Sequence, residues 1–135
     1  MSPDPPDAMK QARILVAEDE ELIQRVLLRT LEEAGFQAVA VENGWEGWRQ
    51  AQNQPFDLLV TDHVMPIMGG KQLVKLVREK FPAMPVIVVS GNFIKGDTPS
   101  EYPPDAVLLA KPFQNETLVR TVRALLETTE QPPLA

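Results

Sequence analysis

No cysteine occurs in the 135 residues, which excludes disulfides and thiolate-bound metals. Histidine occurs once, at His63, and one imidazole cannot complete a metal or nucleophile set. It reads as an exposed rim residue. Positive charge is in deficit: 13 Lys and Arg against 19 Asp and Glu leave a net charge of −6, the reverse of the basic footprint that nucleic acid requires. No apolar run approaches a membrane span. Residues Met1 to Asp7 lack the basic and apolar regions of a signal peptide, so no membrane association and a cytoplasmic location are expected. No internal repeat is found. What remains is ordinary: 44% hydrophobic and 24% charged residues, in a length that suits one domain with a real core.

Short apolar runs alternate with helical patterns along the chain. Strands are expected at Arg13–Ala17, Phe36–Val41, Asp57–Thr61, Val86–Val89 and Ala106–Ala110. Most read as near-continuous apolar runs, as strands buried on both faces do; 36–41 alternates and reads as nearer an edge. A first helix follows Glu18-Asp19-Glu20-Glu21, with Leu22, Ile23, Val26, Leu27, Leu31 and Ala34 at helical spacing and Gly35 at its C′ position. Asn43-Gly44 reads as a turn, and Trp45–Gln52 as a short helix weakened by Gly47. Further helices are expected over Gly70–Lys80 and Asn115–Glu127. Residues 1–11 and 129–135 read as tails, the first disordered, around one domain at 12–128. Strand–helix alternation implies a parallel sheet with right-handed crossovers, here a five-stranded, doubly wound α/β sandwich of three layers.

The strands end in chemistry. The first ends at Glu18-Asp19, the third at Asp62, the fourth at Ser90 and the fifth at Lys111. In a parallel sheet these ends share one edge, where ligands of open α/β sheets bind. Three nearby carboxylates repel unless a cation joins them, and their hard oxygens suit Mg²⁺. A metal, an ammonium and a hydroxyl together suit phosphoryl transfer, in which charge develops on three equatorial oxygens. A carboxylate can be the nucleophile and form an aspartyl phosphate. Asp62, central and without an acidic neighbour in sequence, is the best candidate.

Four motifs then occur in order: Val16-Ala17-Glu18-Asp19; Asp62 with Met65-Pro66-Ile67-Met68-Gly69-Gly70; Val88-Val89-Ser90-Gly91; and Lys111-Pro112-Phe113. Together, over residues 12 to about 127, they resemble the receiver domain of two-component response regulators. The resemblance implies a flavodoxin-like sheet of order 2-1-3-4-5. It implies that Asp62 accepts phosphate from a histidine kinase or histidine phosphotransfer protein. Glu18, Asp19 and Asp62 would hold Mg²⁺ with the Val64 backbone carbonyl. Ser90 would bond the phosphoryl group, Lys111 would pair with it, and the Lys111–Pro112 bond would be cis. Such a chain, a monomer or weak dimer, is a phosphoacceptor that signals to a protein partner. It is not an enzyme with a separate substrate; its chemistry is self-phosphorylation and autodephosphorylation at Asp62.

Two positions depart from the family pattern. Leu108 stands where receivers usually carry an aromatic switch residue. Pro99, Pro103 and Pro104 fall where a fourth helix usually runs, so that helix is expected to be short or missing, and residues 91–105 to answer phosphorylation by a change of order. The alternatives are a degenerate receiver acting as a phosphorylation-independent scaffold and a phosphatase of the haloacid-dehalogenase type. The phosphatase expects a second acid two residues after its nucleophile; here that residue is Val64. A nucleotide-binding module would want a Gly-rich loop where Glu18-Asp19-Glu20-Glu21 stands.

Overall fold

A computed structural model describes residues 12–91 and 102–130. Five strands form the sheet: β1 (Arg13–Ala17), β2 (Gln37–Val41), β3 (Leu58–Asp62), β4 (Val86–Ser90) and β5 (Val107–Ala110). All neighbours are parallel, in the order β2-β1-β3-β4-β5. The helices are α1 (Glu21–Glu33), α2 (Gly44–Asn53), α3 (Gly70–Lys80) and α4 (Asn115–Glu130). The doubly wound, three-layer fold is therefore the expected one. The expected short or missing helix between β4 and β5 falls largely on residues 92–101, outside the described residues. So do the tails at 1–11 and 131–135.

Alternation along each strand makes two cores. Ile14, Val16, Leu58, Val60, Ile87 and Val89 point to one face and meet Leu27 and Leu31 of α1 and Leu118, Val122 and Leu126 of α4. Leu15, Ala17, Leu59, Val86 and Val88 point to the other, against Ala51 of α2 and Leu73, Val74 and Val77 of α3. Every residue of β3 and β4 is buried. Burying one such aliphatic side chain stabilises by about 1.5–3 kcal/mol. The central strands are thus fixed along their whole length, and the residue ending β3 is held with them.

Local chemistry sets the boundaries. Asp57 stands outside β3; its carboxylate accepts from the Arg13 N–H at 2.8 Å. Gly35 takes φ 99, closing α1 in the left-handed region. Asn43-Gly44 is a helix start rather than a free turn: the Asn43 side chain accepts from Glu46 N–H at 2.8 Å, an N-cap. Gly47 is buried in α2, and a Cβ there would meet Leu73 of α3 at 3.0 Å. The glycine that weakens the helix also lets two helices approach. On α1 the expected stripe is too wide. Ile23, Leu27 and Leu31 pack inward, while Leu22 and Val26 are 76% and 51% exposed. Apolar residues at 22, 23, 26 and 27 cover two adjoining stripes, and only one can face the sheet.

Candidate functional site

The ends of β1, β3, β4 and β5 lie on one edge because all four strands are parallel. Glu18 follows β1 directly and is fully buried. Its N–H donates to Val41 O at 3.0 Å, and one carboxylate oxygen accepts from Glu20 N–H at 3.0 Å. The Gln24 side-chain amide donates to Glu18 O at 2.9 Å and Val41 O at 3.1 Å, locking the turn. Asp19 is exposed beside it. Asp62 ends β3 at 7% exposure; Oδ1 accepts from His63 N–H at 2.7 Å. Thr61 Oγ1 donates to the Asp62 carbonyl at 2.9 Å. One ligand oxygen from each of Glu18, Asp19 and Asp62 lies within 4.8 Å of the others.

Lys111 completes the group. Its Nζ donates to Glu18 Oε1 at 3.1 Å and Asp62 Oδ2 at 3.2 Å, and its N–H donates to Ser90 O at 2.9 Å. The Lys111–Pro112 peptide is cis. Ser90 is buried at the end of β4. Burial, helped by the charge of Asp62, raises the Glu18 pKa above its ordinary 4.5, although the Glu20 amide and Lys111 pull the other way. Burial alone would lower Lys111; its bond to Glu18 and the charges of Asp62 and Glu18 outweigh that and raise it above 10.5. One ammonium faces three carboxylates, a shortfall of two positive charges. A divalent hard cation fits that donor set.

The loop from β3 to α3 is shaped by close approach. Gly70 N–H donates to His63 O at 3.0 Å, and a Cβ on Gly70 would meet Asp62 O at 2.1 Å, so no other residue fits without movement. Gly44 N–H donates to Met68 O at 2.8 Å, tying this loop to the start of α2. Within the loop, Val64 is 60% exposed, and Ile67 holds φ 71, uncommon for a β-branched residue.

With that geometry in view, the family model described as the response regulator receiver domain matches residues 14–123. The chain belongs to the response regulator receiver family. It is 36% identical over 115 residues to the response regulator receiver protein CpdR of Brucella abortus, spanning 84% of this chain and 96% of CpdR. It is 34% identical over 119 residues to the transcriptional regulatory protein PcoR of Escherichia coli, covering 84% of this chain but only 51% of PcoR. A crystal structure of a response regulator receiver protein from Sinorhizobium medicae superposes with a TM-score of 0.84 at 31% identity, over 89% of this chain and 98% of that one.

In this receiver domain the structure brings Glu18, Asp19, Asp62 and Lys111 together and sets Ser90 at the adjoining strand end. Three participants carried no sequence signal: Gln24, whose reach back to Glu18 depends on how α1 leaves β1; Thr61, an inconspicuous strand residue; and Tyr102, in a proline-rich stretch. His63 departs from its reading as an exposed rim residue. It is half-buried, and its Nδ1 lies 2.5 Å from the Tyr102 hydroxyl.

Proposed function

We propose that the chain accepts a phosphoryl group on Asp62 from a phosphohistidine of a histidine kinase or histidine phosphotransfer protein, in a Mg²⁺-dependent reaction, and signals by conformational change to a protein partner in the cytoplasm. One observation carries this reading: a buried Asp62 carboxylate at a strand end, bonded to the Lys111 ammonium and sharing a three-carboxylate cluster. An Asp62 oxygen attacks phosphorus; the phosphorus–nitrogen bond breaks and the donor imidazole keeps its electron pair. Lys111, already within hydrogen-bond reach of Asp62, meets one oxygen of the transferred group, and the Ser90 hydroxyl another. Glu18, Asp19, Asp62 and the Val64 carbonyl would hold Mg²⁺. When bound, the metal neutralises charge on the phosphoryl oxygens.

A protein donor suits the rim. Val26, half-exposed, lines a groove with Ile23, Lys111, Pro112 and Phe113, which is apolar surface next to the acceptor. A phosphatase of the haloacid-dehalogenase type is disfavoured, because the position of its second acid is Val64. The scaffold reading, in which phosphorylation plays no part, is disfavoured by the assembled site. Mixing with Mg²⁺ and acetyl phosphate should add one phosphoryl mass to the parent and none to Asp62→Asn. Equal labelling of both proteins would remove the assignment.

A further inference from the structure

His63 and Tyr102 are the sole histidine and the sole tyrosine of the chain, and they bond to each other across 39 residues of sequence. The rings meet edge-on, with centroids 5.6 Å apart at 63°. Tyr102 is 5% exposed and packs in the core shared by α2 and α3, to which Ala106 and Leu108 also contribute. A buried phenol finds a partner for its hydroxyl, and here that partner is the residue directly after Asp62. The His63 main chain is engaged as well. Its N–H donates to Asp62 Oδ1 at 2.7 Å, and its carbonyl accepts from Gly70 N–H at 3.0 Å. His63 therefore joins the acceptor carboxylate, the start of α3 and Tyr102 at a single residue.

The segment carrying Tyr102 has a second anchor. Ala106 N–H donates to Pro103 O at 3.0 Å. The Arg78 guanidinium bonds both oxygens of Asp105, at 3.1 and 2.5 Å, and its Nε donates to Met84 O at 2.6 Å. Residues 102–106 are thus clamped to α3 at one end and to the strand end bearing Asp62 at the other. Leu108 is partly buried in the same core and has no polar tip with which to reach the site. Tyr102 has one.

We infer that His63 is a positioning residue for the phosphoacceptor and that the Tyr102 hydroxyl, by holding the imidazole, couples the 102–106 segment to the state of Asp62. The inference rests on Asp62 being the phosphoacceptor. Any change in the hydrogen bonding of Asp62 Oδ1 acts on the His63 amide, and the ring attached to the same residue is held by Tyr102. Coupling of this kind is reciprocal: by whatever factor loading Asp62 strengthens or weakens the Tyr102 bond, that bond changes the affinity of Asp62 for its ligand by the same factor.

The test uses the full chain, Mg²⁺ and fluoroberyllate at one fixed pH. Fluorine NMR reports loading of Asp62, and the ring signals of the single tyrosine report the far end of the link without any assignment. The tyrosine signals are expected to shift on loading in the parent and to lose that shift in His63→Ala at full loading. Tyr102→Phe keeps the ring and removes the bond. It should change fluoroberyllate affinity about fivefold, the worth of one ordinary hydrogen bond, and the double variant should add nothing further. A merely structural role would lower the melting temperature without moving that affinity. A tyrosine shift that survives in His63→Ala, or an unchanged affinity in Tyr102→Phe, would overturn the coupling alone. Absence of bound fluoroberyllate in the parent would overturn the phosphoacceptor reading and this inference with it.

Discussion

Lys111 is the only cation bonded to the carboxylate cluster among the described residues, and it does two opposed things there. It neutralises Glu18 and Asp62, which lowers the attraction of the cluster for a metal, and under the proposed function it would meet the charge of an arriving phosphoryl group. Lys111→Ala should therefore bind Mg²⁺ about tenfold more tightly, the order expected for one charge a few ångströms away in a wet site, yet take up phosphate more slowly. Tryptophan fluorescence during a Mg²⁺ titration checks the first half, and mass labelling with acetyl phosphate the second. Weaker Mg²⁺ binding in the variant would show that Lys111 holds the site together rather than competing with the metal. The meeting of Asp62, Asp19, Glu18 and Lys111 at one sheet edge, with Ser90 adjoining, was legible in the sequence because each lies at a strand end, and a parallel sheet gathers strand ends. Gln24, Thr61 and Tyr102 were not. Their part depends on side-chain reach across the fold, which no spacing along the chain encodes.

The elements were legible wherever an apolar pattern had one period and one partner. β4 came out as expected apart from Ser90 joining its end, and β3 came out one residue further along, at Leu58–Asp62. α1 did not come out as expected, since a doubled apolar stripe looks the same whether one or both halves are buried. Glycines were the other blind spot. Gly44 read as a turn residue, yet it begins α2, and the close approach behind Gly44 and Gly70, where another loop or strand presses against the backbone, left no mark in the sequence. Gly70→Ala should cost about 1–3 kcal/mol, as overpacking does, and also reduce phosphate uptake, because the displaced atom is the Asp62 carbonyl. Urea unfolding together with acetyl phosphate labelling measures both effects. The tie between α3 and residues 102–106 carries a pH signature. Arg78 holds the Asp105 carboxyl below its ordinary 3.8, so the pair stabilises fully above about pH 4, and its contribution is lost as pH falls through the lowered value. Asp105 is 65% exposed, so Asp105→Asn should cost less than about 1 kcal/mol near neutrality. Melting temperatures of parent and variant should converge in acid; a constant difference down to pH 2 would reject the pair as the cause.

At the scale of the whole molecule, the site draws on the same sheet that makes the fold stable. Three carboxylates within 4.8 Å of one another are a source of repulsion that the folded state bears and the unfolded chain does not. Mg²⁺ should therefore stabilise the protein, by about 1.4 kcal/mol at ten times its dissociation constant. Asp19→Ala should lose most of that gain, as a Mg²⁺ series of thermal melts would reveal. Equal stabilisation of both proteins would place the metal elsewhere.

The parallel sheet also has a second edge. There Arg13 donates to Pro55 O at 3.1 Å, bonds Gln54, and stacks over Phe56 at 5.3 Å. This is scaffolding, at the opposite end of every strand from Asp62. Asn53, at the end of α2 and exposed, borders that edge, and the chain has no thiol of its own. A single Asn53→Cys would thus give one attachment point facing away from the chemistry. A chip, a bead or a dye fixed there would present the molecule in one orientation, Asp62 outward, to any candidate donor passed over it.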